Sequence, residues 1–107
     1  MRASPVSGYA YVAAKAALIN LVRQAAVELG PRNVRVNAIA PGYIATNLAG
    51  GRLKRDPELA RELQERVPLG RIGQPEDLKG VALFLASPAS SYVTGAVIPV
   101  DGGVTAA

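Results

Sequence analysis

Residues Tyr9 to Leu29 contain neither Pro nor Gly and are rich in Ala and Leu, which reads as one long helix. Gly30 followed by Pro31 stops it, the usual order just past a helix end. The run is apolar nearly all round, from Ala10, Val12, Ala13 and Ala14 through Leu18, Ile19, Leu21 and Val22 to Ala25 and Ala26. A helix of that kind is expected to be buried on most sides. The remaining chain offers too little partner to bury it. The sequence is therefore expected to be a piece of a larger layered domain, or one completed by other chains.

The rest of the 107 residues supplies short elements. Residues 1–8 read as loop. Asn33 to Ala40 is a β-branched run and reads as a strand, cut by Pro41-Gly42. Residues 43–55 carry Gly50-Gly51 and the basic cluster Arg52, Lys54 and Arg55, and read as a loop. Asp56-Pro57-Glu58 opens a helix, with Asp as cap and Pro at the first helical position, running to Arg66 or Val67. Pro75-Glu76-Asp77 opens another, with acidic side chains in its first turn, and Ser87-Pro88 closes it. Ala96 to Val100 is a second strand and Asp101-Gly102-Gly103 a tight turn. Helix, strand, helix, helix, strand places the second strand beside the first after a helical crossover, the parallel α/β pattern. Two strands are marginal alone.

Composition removes several chemistries. There is no Cys and no His, so disulfides, iron–sulfur clusters, thiol nucleophiles, ordinary zinc sites and a Ser-His-Asp triad within this chain are excluded, and no metal is expected. The net charge of +4 comes from scattered basic residues. Nucleic-acid binding needs them clustered with aromatics, so no nucleic acid is expected as main ligand. Apolar runs such as Val81 to Ala86 are far short of the ~20 residues of a membrane span. The first residues have no signal-peptide pattern. No membrane association and a cytoplasmic location are the expectations.

Chemistry is concentrated at Tyr11 and Lys15. Four residues apart on a helix, they share one face. A phenol is a poor acid or base near neutrality, but a nearby cation favours the phenolate. The pair is an acid/base device for an alcohol or carbonyl substrate. Taken alone, the spacing also fits ordinary helix surface. Tyr9 and Tyr43 are further hydroxyls, but Tyr9 has no lysine four residues on.

The ordered set Tyr11-x-x-x-Lys15, Val34 to Ala40, Pro41-Gly42-Tyr43-Ile44-Ala45-Thr46, Pro75-Glu76-Asp77-Leu78, Phe84 to Ser87 and Val100-Asp101-Gly102-Gly103 resembles the C-terminal part of short-chain dehydrogenase/reductases, over residues 9–103. The resemblance implies a doubly wound Rossmann fold of which this single-domain chain, 1–107, is the C-terminal portion. It implies NAD or NADP as cofactor, a small-molecule substrate and a homo-oligomer. Tyr11 matches the tyrosine that exchanges a proton with the substrate oxygen, and Lys15 the lysine that binds the nicotinamide ribose and lowers the tyrosine pKa. Pro41, Gly42, Ile44 and Thr46 match the segment lining the nicotinamide, with the Ile44 backbone on its carboxamide. The family's catalytic serine and asparagine, and its glycine-rich first half, have no counterpart here; Ser4 and Ser7 lie too close to Tyr11. This chain alone is expected to be incomplete and inactive.

The pattern around Asn37 to Tyr43, Arg66 to Leu78 and Ala89 to Gly95 is similar to gluconate 5-dehydrogenases and related sugar-acid dehydrogenases. The 3-oxoacyl-carrier-protein reductases share much of it, so 3-oxoacyl thioester reduction is the alternative substrate class. A non-catalytic remnant that folds only by association is the alternative to an enzyme. Arg52, Lys54 and Arg55 fit either a solvated loop or attraction of an acidic substrate. Arg71 is read as a structural anchor.

Overall fold

The computed structural model describes residues 5–45 and 55–106. The elements are α1 (Pro5–Leu29), β1 (Ala38–Pro41), α2 (Pro57–Glu65), α3 (Glu76–Ala86) and β2 (Val97–Val100), joined by short 3-10 turns. Order and type follow the sequence expectation. Helix α1 begins at Pro5, earlier than read, because proline has no N–H to lose in a first turn and tolerates that position. At its other end Gly30–Arg32 tightens into a 3-10 turn. Asn33 closes it at φ 61°, donating its N–H to the Gly30 carbonyl at 2.8 Å.

The first strand is shorter than the β-branched run. Residues 34–37 are not strand; they are fastened to residues 93–96 largely by side chains. The two strands form one sheet. Ala38 N–H donates to Ala96 O at 2.9 Å and Gly42 N–H to Val100 O at 3.0 Å. Both ends advance by four residues, so the pairing is parallel. Residues 96, 98 and 100 turn their polar groups to β1, while 97 and 99 turn theirs outward. Pro99 therefore stands where the sheet needs no donor.

The chain divides into two compact units, Met1–Ala38 with Tyr92–Val97, and Ile39–Ser91 with Ile98–Ala107. In the first, one stripe of α1 is covered among the described side chains. Val22 and Ala26 are buried, and Lys15, Ile19, Ala25 and Leu29 half-buried on the same side. Gly95 brings its Cα side against Ala26, where a Cβ would stand 3.4 Å from the Ala26 Cβ. The other faces of α1 present Val12, Leu21 and Val27 to solvent at 65%, 66% and 73% exposure. The expectation of a helix buried on most sides is thus not met within this chain.

In the second unit Asp56 caps α2, accepting the Leu59 N–H at 3.0 Å, and Pro57 opens the helix. Helix α3 carries Glu76 and Asp77 in its first turn. Val67 is buried, and so is Ser90, whose hydroxyl lies 3.1 Å from the carbonyls of Leu85 and Ser87. No described helix is long and apolar enough to cross a membrane.

Candidate active site

The first unit holds Tyr11 and Lys15. Both are helical, and their spacing puts Tyr11 one turn ahead of Lys15 on the row that continues through Ile19 and Val22. Lys15 is half-buried there. The Tyr11 side chain lies outside what the structure describes. Tyr9, by contrast, is 77% exposed.

The second unit holds Pro41, Gly42 and Ile44, at and beyond the carboxyl end of β1. Thr46, Arg52 and Lys54 lie outside the described residues; Arg55 is exposed. Past the strand, Tyr43 to Ala45 pairs in parallel with Gly73. Gly73 N–H donates to Tyr43 O at 2.9 Å, and Ala45 N–H to Gly73 O at 2.8 Å. In such a bridge the central residue faces away from its partner. Ile44 therefore directs its own N–H and C=O to the opposite side, as one donor and one acceptor on a fixed backbone. Glycine is required at position 42, where backbone blocks a Cβ, while at Gly73 the nearest atom is the end of the Ile44 side chain, which can turn aside. A Cβ on Gly73 would stand 2.7 Å from Ile44 Cδ1, and one on Gly42 would stand 2.8 Å from the Asp101 Cα.

The backbone that Gly42 lets come close is that of Asp101. The Asp101 carboxylate in turn accepts the Gly103 N–H at 2.9 Å and the Thr105 hydroxyl at 2.7 Å. It closes the turn in which Gly102 and Gly103 have φ of 64° and 99°.

Arg71 is the anchor the sequence implied, and Asp77 is the partner the sequence did not name. The guanidinium donates to both carboxylate oxygens, at 2.8 and 2.9 Å, and the Gln74 N–H donates to Asp77 at 2.7 Å. The Arg71 hydrogen bonds, with that of Gln74, lower the Asp77 pKa to about 2. A cavity of about 140 Å³ opens beside this pair, walled by Tyr43, Ile44, Leu69 and Asp101. No group of three or more Asp or Glu side chains that could hold a metal is present among the described residues.

Sequence reasoning also missed Asn37. Its carboxamide donates to Val93 O and accepts the Ala96 N–H, both at 3.0 Å. The available signal was a carboxamide beside the apolar Ala38-Ile39-Ala40 run, which needs a partner when covered.

Residues 1–105 match the family described as enoyl-(acyl carrier protein) reductase. The chain is 48% identical over 101 residues to the galactitol 2-dehydrogenase (L-tagatose-forming) of Cereibacter sphaeroides, covering 94% of this chain and 39% of that protein. It is 50% identical over 93 residues to the 2-dehydro-3-deoxy-D-gluconate 5-dehydrogenase of Dickeya dadantii, covering 87% and 36%. A solved structure described as an NAD(P)-dependent gluconate 5-dehydrogenase from Beutenbergia cavernae, with NADP at low occupancy, superposes with a TM-score of 0.80 at 49% identity, over 92% of this chain and 39% of that one. The chain thus spans well under half the length of the proteins it matches.

Proposed function

The chain belongs to the short-chain dehydrogenase/reductase family, as the C-terminal portion of its Rossmann fold, and we propose that it supplies the proton-transfer helix and the nicotinamide-side loop of an NAD(P)-dependent oxidoreductase. The reaction interconverts a secondary alcohol and a ketone, on a sugar acid or similar small polar substrate. The enzyme works as a cytoplasmic homo-oligomer, and the isolated chain is inactive.

The observation that carries this reading is the Ile44 backbone. A nicotinamide carboxamide offers one acceptor and an amino group that donates, the complement of an N–H and a C=O held side by side and turned away from Gly73. The parallel bridge to Gly73 holds them so. The position beyond the carboxyl end of a parallel strand is where ligands bind in open α/β sheets. Pro41, Gly42 and Thr46 complete that segment, and Lys15 engages the ribose. The bound nucleotide supplies or accepts the hydride. Tyr11 exchanges the proton with the substrate oxygen, its acidity raised by the Lys15 ammonium.

The substrate class rests on the similarity to sugar-alcohol and sugar-acid dehydrogenases. A 52% identity over 95 residues to the 3-oxoacyl-[acyl-carrier-protein] reductase of Thermotoga maritima supports thioester reduction as the second reading.

The test is nucleotide-coupled turnover by the full-length enzyme containing this sequence, assayed on sugar acids, sugar alcohols and a 3-oxoacyl thioester. Tyr11→Phe is expected to lower kcat by about 10²- to 10⁴-fold, the usual range for a positioned proton donor, with little change in stability. Lys15→Ala is expected to lower kcat and raise the nucleotide KM together. Undiminished turnover in Tyr11→Phe would overturn the assignment.

A further inference from the structure

The structure assigns Asn37 a positioning role: its carboxamide sets the register of β1 on β2, and so the place at which the Pro41 to Ile44 backbone is presented. The strand sequences themselves do not specify that register. Ala-Ile-Ala-Pro and Val-Ile-Pro-Val are apolar throughout, and apart from the exposed prolines every residue is half-buried. A slip by one residue would exchange apolar for apolar. An inside/outside pattern, the usual determinant of register, is missing. The pairing is also only four residues long, so it holds few ladder bonds of its own.

The lead-in to β1 makes up the deficit. Gly95 N–H donates to Val36 O at 2.8 Å, and Val36 N–H to Thr94 Oγ1 at 3.0 Å. Arg35 and Asn37 both donate to Val93 O, at 3.1 and 3.0 Å. Asn37 Oδ1 accepts the Ala96 N–H at 3.0 Å, while Ala96 O accepts the Ala38 N–H at 2.9 Å. Consecutive residues 37 and 38 therefore grip Ala96 by its donor and its acceptor. That grip is compatible with one alignment only. With Ala38 held to Ala96, Gly42 falls on Val100, where its N–H bond is seen. The side-chain amide has the planar donor-plus-acceptor form of a peptide group, so it continues the ladder past the point where the backbone leaves it.

The consequence for cofactor placement rests on the function proposed above, but the register itself does not. It is tested without nucleotide, by amide hydrogen exchange of the full 107-residue chain. The amides read are Ala38, Gly42 and Ala96, with Ala60, bonded to Asp56 O in α2, as internal reference. Asn37→Ala is expected to speed exchange at Gly42 by about tenfold relative to Ala60, the equivalent of one lost hydrogen bond. Gly42 lies five residues from the substitution. Thr94→Ala, which removes a lead-in bond but leaves the carboxamide, is expected to change Gly42 less than about threefold. Asn37→Asp keeps the acceptor for Ala96 and is expected to retain Ala96 protection while losing the bond to Val93 O. The proposal is overturned if Gly42 keeps its protection in Asn37→Ala while Ala96 loses it, or if Thr94→Ala matches Asn37→Ala. Should Asn37→Ala fail to fold, Asn37→Asp decides: with the Ala96 grip kept, Gly42 is expected to stay protected relative to Ala60. Faster exchange at Gly42 relative to Ala60 while Ala96 stays protected overturns it.

Discussion

Asp77 shows how much a single side chain organises in the link before α3. It ties the Arg71 guanidinium and the Gln74 N–H to one carboxylate. Its folded pKa, about 2, is below the ordinary 3.8. A depressed carboxylate stabilises the fold fully above its unfolded pKa and progressively less as pH falls toward the folded value. Stability from this group is therefore expected to fade between about pH 4 and pH 2. Asp77→Asn should show a flatter fall in urea midpoint across that window than the parent, and parallel curves would refute the ion pair's role. Gly42 makes a second point at this scale. Its place near the proposed nicotinamide contact invites a ligand explanation, yet the Asp101 backbone already forbids a Cβ there. Gly42→Ala is accordingly expected to cost about 1–3 kcal/mol in the absence of any nucleotide, as overpacking does. Unchanged thermal stability would show that Asp101 can yield.

The elements differ in how plainly their sequences announce them. The start of helix α2 was legible because Asp56 and Pro57 are local signals and act locally, while its end, read at Arg66 or Val67, comes at Glu65. Asp56→Ala is expected to destabilise by about 1 kcal/mol, the worth of a lost N-cap, readable as a lower denaturant midpoint. The start of α3 and the turn at Gly102 were equally plain. The first strand was not. Val34 and Val36 carry strand propensity, but residues 34–37 are bound through the side chains of Arg35 and Asn37 and the Thr94 hydroxyl, partners some 56 to 58 positions away in sequence. Propensity has no access to such partners. The Arg71 anchor was legible as a role and Asp77 was missed as its means, since Asp77 lies six positions on, across the link and inside α3. The Tyr11 and Lys15 spacing could be read directly, because a helix converts a separation of four into a shared face.

For the whole molecule, what is uncovered matters more than what is covered. Among described residues the buried apolar side chains are Val22, Ala26 and Val67, while Leu21, Val27, Leu69 and Leu83 stand more than 60% exposed. Each fully buried aliphatic side chain is worth about 1.5–3 kcal/mol, so leaving these four in water forgoes several kcal/mol against a total that is seldom above ~15. The 107-residue chain is thus expected to associate with itself or with other protein when isolated, giving concentration-dependent elution in size-exclusion chromatography. A compact, concentration-independent monomer would contradict this. The place of Pro99 sets what the outer border of β2 can bind. Because the outer border of β2 is short of a donor at its centre, a further strand docked there would find a gap in its bonding. That border is therefore a poor template for another strand, and the proline shields it from edge-to-edge aggregation.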